Sequence, residues 1–181
     1  KGSNKLIELP IQSPNFYKIE VYQVKEMVYD EVQGTNGAWM AVLGYGLAFY
    51  SFDDGSFYQY IRDTKQPQSI GSNLTRRIDR DKNGNIWIAT ADGLYKRSPK
   101  TPFSKNVFER FTNQPDNLNS LPSNDVTDVW CSRDNHVWVT MGGGGLAEFD
   151  GKKFTQYLPE SSLSSKVFMG NCACASRPLA R

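Results

Sequence analysis

Ile78–Tyr95 reads IDRDKNGNIWIATADGLY, and this stretch decides the fold. Ile78 to Asp81 has the composition of a strand end, and Lys82, Asn83 and Gly84 then reverse the chain, because Asn and Gly accept the positive φ that a tight hairpin demands. Ile86 to Thr90 is β-branched and aromatic, as a returning strand should be. Asp92 and Gly93 mark the next turn, and Leu94 and Tyr95 open a third strand. One short segment therefore encodes most of a small antiparallel sheet.

The segment is written again further along. Placing Trp87 on Trp138 brings Ile78 onto Val129, Ile86 onto Val137, Ile88 onto Val139 and Asn73 onto Asn124 without a gap. Gly93 and Leu94 match Gly145 and Leu146 after a one-residue offset, and a looser copy surrounds Trp39, with Asn36 and Gly37 before it and Gly46 and Leu47 after. The three tryptophans stand 48 and 51 residues apart, at the long end of the roughly 40–50 residues of one four-stranded propeller blade. Each copy closes on an aromatic pair: Phe57 and Tyr60, Phe108 and Phe111, Phe154 and Tyr157. This pattern predicts an all-β chain, a partial β-propeller of about three four-stranded antiparallel blades plus a fragment of a fourth.

The expected blades are residues 24–61, 70–112 and 121–158. The first is expected to begin with strands at Met27–Val32 and Ala38–Val42, and the second to carry Pro99–Asn106 as an expanded outer hairpin. Residues 1–23 form a lead-in whose Phe16–Val24 alternates like the outer strand of a preceding blade. Residues 163–181 hold a partial blade, since LSSKVF echoes LPSNDV, followed by an irregular tail from Asn171 to Arg181.

These residues resemble the two-component regulator propeller repeat. The likeness is carried by Asn83–Thr90 with Gly93 and Leu94, by Val137–Thr140 with Gly145 and Leu146, and by Ser120–Asn124, and it covers about Val24 to Lys166. Such repeats build the periplasmic sensor region of hybrid histidine kinases, especially in Bacteroidetes, where they are associated with sensing carbohydrates. The resemblance implies a non-enzymatic, extracytoplasmic sensor segment that takes an oligosaccharide ligand. A carbohydrate-active enzyme or lyase completed by residues outside this chain, and a passive protein-interaction scaffold, are the alternatives.

Composition narrows the partners. The net charge of +2 comes from 21 basic and 19 acidic residues, and the one local concentration, Arg76, Arg77 and Arg80, is interrupted by Asp79 and Asp81, so no basic footprint points to nucleic acid. No apolar run is long enough for a membrane span in this segment, and Lys1–Pro10 lacks the apolar core of a secretory signal. Cys131, Cys172 and Cys174 are too few, and odd in number, for a disulfide scaffold. A blade buries its faces only against neighbours, so three blades expose two raw faces that call for missing blades or for self-association.

The residues give little support to catalysis. His136, the one histidine, falls in the turn after Asp134 and Asn135. Cys172 and Cys174 lack the further ligands a metal needs, Asp81–Asn85 lacks the remote glutamate of a calcium loop, and the Gly142–Gly145 run precedes a strand where a phosphate loop precedes a helix. No metal and no cofactor is therefore expected. Trp39, Trp87 and Trp138 could be sugar platforms, but their recurrence at one strand position assigns them to packing between blades. Ligand contacts are expected on the face where the connection into each first strand meets the loop between strands two and three, at Tyr45, Asn73, Arg76, Asp92, Asn124 and Asp125. Asn73 and Asn124 also suit a purely local role as turn caps.

Overall fold

The computed structural model describes residues 24–143 and 145–157; the expected lead-in strand, the fourth-blade fragment, Cys172 and Cys174 lie outside them. The described residues hold twelve strands and no helix. They form three four-stranded antiparallel sheets in simple up-and-down order: β1 (Val24–Val32) to β4 (Phe57–Tyr60), β5 (Thr75–Arg80) to β8 (Glu109–Phe111), and β9 (Val126–Cys131) to β12 (Phe154–Tyr157). The first strands β1, β5 and β9 pack against one another in succession. This is the radial stacking of propeller blades.

Register proves the repeat. Trp39 pairs with Val28 and Phe49, Trp87 with Asp79 and Lys96, and Trp138 with Trp130 and Glu148, so all three tryptophans sit at one place in the second strand of their sheets. Strand alternation sends Trp39 and Trp87 to the face turned toward the following blade, and Trp138 to the corresponding face of blade 3. Between blades 1 and 2 one core joins Trp39, Leu47, Phe49 and Tyr60 to Ile78, Ile86, Ile88 and Phe108. Between blades 2 and 3 its counterpart joins Trp87, Ala89 and Leu94 to Val137, Val139, Phe149 and Phe154. A smaller cluster, Met40, Val42, Tyr45 and Ala48, belongs to the face of blade 1 directed away from blade 2.

The connections repeat as faithfully as the blades. Ser69 and Ser120 each accept the amide of the residue six positions earlier, Asp63 or Gln114, and donate to its carbonyl. The residues after them, Ile70 and Leu121, are fully buried between successive sheets. A propeller also leaves its innermost strand edges without a partner strand, and unpaired amides there are a liability. Here carboxylates cover them: Glu26 accepts the amide of Ile78 at 2.9 Å, and Asp79 accepts those of Arg80 and Cys131 at 2.8 and 2.7 Å.

Two hairpins differ from the sequence expectation. The reversal after Asp81 is a turn closed by the Gly84 amide on the Asp81 carbonyl at 3.0 Å, with only Gly84 at positive φ. Asp81, 4% exposed, is its anchor: Oδ1 accepts the amides of Asn83 and Asn85, and Oδ2 accepts the Trp87 indole N–H at 2.9 Å. In blade 1 the reversal falls at Gln33 and Gly34, both at positive φ, and β2 (Thr35–Val42) reaches back to include Asn36 and Gly37. Asp30 there accepts the Trp39 indole at 3.2 Å, as Asp81 accepts that of Trp87 in blade 2. Asp81→Ala is expected to lower the unfolding free energy by about 3 kcal/mol, because each stranded buried donor costs roughly 1–3 kcal/mol; a urea midpoint unchanged from the parent would refute this role.

Candidate functional site

The loops between second and third strands and the connections entering each first strand meet on one rim. Backbone hydrogen bonds hold them together: Gly46 donates to the Asn73 carbonyl at 3.1 Å, Gly93 to that of Asn124 at 2.7 Å, and Gly142 to that of Asp125 at 2.8 Å. Gly46 and Gly93 begin their third strands at φ 80° and 114°, and a Cβ there would lie 2.1 and 2.5 Å from the carbonyl oxygens of Tyr60 and Phe111. Close approach to the outer strand thus explains the recurring Gly-Leu pair.

The six expected contact residues separate into three groups. Asn73 and Asn124 are joints: their Oδ1 atoms accept the amides of Arg62 and Asn113 at 2.7 and 2.6 Å, tying the end of one blade to the start of the next. Tyr45 is 4% exposed, drawn into the buried cluster of blade 1 rather than presented at the rim. Arg76, Asp125 and Asp92 remain partly open. Arg76 Nη1 meets Asp125 Oδ1 at 2.7 Å and the Val126 carbonyl at 3.0 Å, with side chains 30% and 47% exposed. Gly142 lies against that pair, since a Cβ on it would stand 2.2 Å from Asp125 Oδ2.

Asp92 belongs to a second constellation. Its Oδ2 pairs with Arg110 Nη2 at 2.7 Å and accepts the Tyr95 hydroxyl at 3.3 Å, while the Arg110 guanidinium lies 5.8 Å from the Tyr95 ring centre. Burial pushes the Tyr95 phenol up to about 12, so it stays protonated and serves as a hydrogen-bond donor. Arg110 and Tyr95 were absent from the sequence expectation, although they are direct partners across β7 (Gly93–Arg97) and β8. That pairing was readable once the outer strand had been placed.

The rim offers two arginines and two carboxylates, equipment for hydrogen bonding to a hydroxyl-rich molecule, while the buried Tyr95 hydroxyl holds Asp92 in place. His136 lies at the opposite ends of the strands, its Nδ1 2.5 Å from Glu148 Oε1. Burial, reinforced by the charges of Asp79 and Asp81, raises the pKa of Cys131 well above the usual thiol range, which removes its thiolate character. Among the described residues no group of three or more His, Cys, Asp or Glu could hold a metal ion, and no helix is long and apolar enough to cross a membrane.

No family model matches the chain, and no curated protein matches it. Solved structures do. The extracellular domain of the putative hybrid two component system BT3049 from B. thetaiotaomicron superposes with a TM-score of 0.57 at 18% identity, over 78% of this chain and 19% of that one. The corresponding domain of BT4673 from the same organism gives 0.55 at 17% identity, over 82% of this chain and 17% of that one. A streptogramin B lyase is matched at 0.49 and 17% identity, too distantly to bear on this chain. The chain has the propeller-like fold of extracellular domains of hybrid two-component systems and spans 17–19% of the length of the two matched chains.

Proposed function

We propose that the chain is a non-enzymatic segment of an extracytoplasmic, periplasmic sensor in a two-component signalling protein, and that its rim contacts an oligosaccharide. The observation that carries this reading is the convergence of the Arg76–Asp125 and Asp92–Arg110–Tyr95 groups on the single rim built by the inter-blade connections and the strand two to three loops. Arginine–carboxylate pairs on an open rim can exchange hydrogen bonds with vicinal hydroxyls. Kinship of fold with extracellular domains of two-component systems supports the sensor assignment. The one histidine lies at the other end of the strands, away from these groups.

Calorimetric titration with a panel of oligosaccharides tests the reading, using this chain and a longer propeller that contains these blades. Replacing both Arg76 and Asp92 by alanine is expected to weaken binding tenfold or more while moving the urea midpoint little, because exposed ion pairs contribute only about 0–1 kcal/mol to stability. Absence of binding to every oligosaccharide by both proteins would reject direct sensing.

A further inference from the structure

Each blade carries a tryptophan packed against an outer-strand aromatic ring on the same face: Trp39 tilted on Tyr60, Trp87 stacked on Phe111 and Trp138 stacked on Tyr157, at centroid distances of 5.9, 5.4 and 5.6 Å. Among the described residues, two of these three seats have an occupant from the next blade. In the first, Arg97 of blade 2 places its guanidinium 4.3 Å from the Tyr60 ring centre and 5.6 Å from that of Trp39, and its Nη2 donates to the Tyr60 hydroxyl at 3.3 Å. In the second, the outer ring is Phe111, with no hydroxyl to offer, and Phe149 packs there at 5.2 Å from it. Phe149 and Arg97 share one register in their third strands, each ending the pairing with its second strand at Val137 or Ile86. The chemistry of the outer ring and that of its occupant change together.

In the third seat the outer ring is again a tyrosine, and beside it stands a carboxylate. Glu148 occupies the register held by Phe49 in blade 1 and Lys96 in blade 2. It accepts the Tyr157 hydroxyl at 2.9 Å, bonds His136, and is 18% exposed, whereas Tyr157 and the neighbouring Trp130 are 46% and 56% exposed. We infer that this face of blade 3 docks a further four-stranded blade whose third strand brings an arginine, in the register of Arg97, onto Trp138 and Tyr157, with Glu148 as its counter-charge. A guanidinium over aromatic faces with a carboxylate alongside satisfies both its π and its ionic preferences.

The inner strands carry the same alternation. Glu26, Arg77 and Asp128 share one register in β1, β5 and β9, pairing with Ala41, Ala89 and Thr140, and Arg77 Nε lies 3.9 Å from Asp128 Oδ1. A cation in the next inner strand would extend it. A second copy of this chain fits poorly, because its blade 1 would bring Tyr50 and Glu26 to the two registers, setting Glu26 against Asp128. The inference concerns assembly and is independent of any ligand at the rim.

The test uses the full chain extended beyond Arg181 by a copy of residues 61–112, with Trp87→Phe in the copy so that it adds no signal; the 24 intervening residues, 158–181, span up to about 80 Å when extended. Acrylamide quenching reads Trp130 and Trp138, since Trp39 and Trp87 are each 2% exposed. The expected result is a several-fold fall in quenching relative to the parent chain, abolished by Arg97→Glu in the copy and restored when Glu148→Arg is placed opposite it. Quenching unaffected by the extension, or docking that ignores the charge reversal, would overturn the inference. So would shielding of the parent's tryptophans that grows with its own concentration, which would make a second copy the occupant. A rise in quenching on removal of residues 158–181 from the parent would also overturn it by identifying those residues as the cover.

Discussion

Trp87→Ala is expected to destabilise the chain by about 3–5 kcal/mol, whereas Trp138→Ala, the same substitution at the same position of the repeat, should cost less than half as much. Large-to-small changes carry a transfer cost plus a cavity cost, and both scale with how completely neighbours surround the side chain. Trp87 is 2% exposed, stacked on Phe111 at 5.4 Å, tilted against Phe149 at 5.6 Å and hydrogen-bonded through its indole to buried Asp81. Trp138 has the Tyr157 stack but is only half-buried, and Ser132 stands where Asp81 stands in blade 2. Urea unfolding of the two variants side by side checks this. Equal losses would mean that the environments are equivalent and that blade 3 is covered as fully as blade 2.

The second large effect is expected at Arg97. Its side chain is 2% exposed, and its guanidinium is held by carbonyl oxygens of its own outer hairpin, Lys105 at 2.8 Å and Pro102 at 2.9 Å, as well as by the rings of Tyr60, Phe108 and Trp39. That hairpin clasps blade 1: the Phe103 ring stacks on Phe49 at 4.7 Å, the Tyr60 hydroxyl donates to the Phe103 carbonyl at 2.8 Å, and Gln33 donates to the carbonyls of Pro99 and Thr101. Arg97→Leu would strand several buried carbonyls and loosen the clasp, with an expected loss of about 3 kcal/mol. Arg97→Lys should recover little, since an ammonium cannot reproduce a planar, multiply donating guanidinium between carbonyls and rings. The same variant should raise amide exchange across residues 98–108 more than elsewhere. Uniform exchange would show that Arg97 does not organise the hairpin.

At the outer hairpin the local signals in the sequence run out. Pro99–Asn106 reads as an expansion of a turn, because proline and polar residues punctuate it. Nothing local announces that Phe103 inserts into the neighbouring interface or that Arg97, in a strand with an otherwise ordinary pattern, is its internal anchor. The rim shows a similar division. Arg76, Asp92 and Asp125 follow from the order of strands and loops, whereas Arg110 and Tyr95 join Asp92 only through cross-strand pairing, and burial withdraws Tyr45 from the rim.

By itself the sequence determined the blades. A period of about fifty residues, strand alternation, Asx and glycine turns and a tryptophan at one strand position of every repeat are local signals, because turn chemistry and side-chain parity act within a few residues of chain. Tertiary structure alone decided how the blades are joined: Asn73 and Asn124 as joints, Glu26 and Asp79 as covers for neighbouring strand edges, and Arg97 seated on the aromatic pair of blade 1. Most of these contacts link residues that lie far apart along the chain. Which partner a charged or aromatic side chain finds across an interface depends on the packing of two sheets, and no single repeat encodes that.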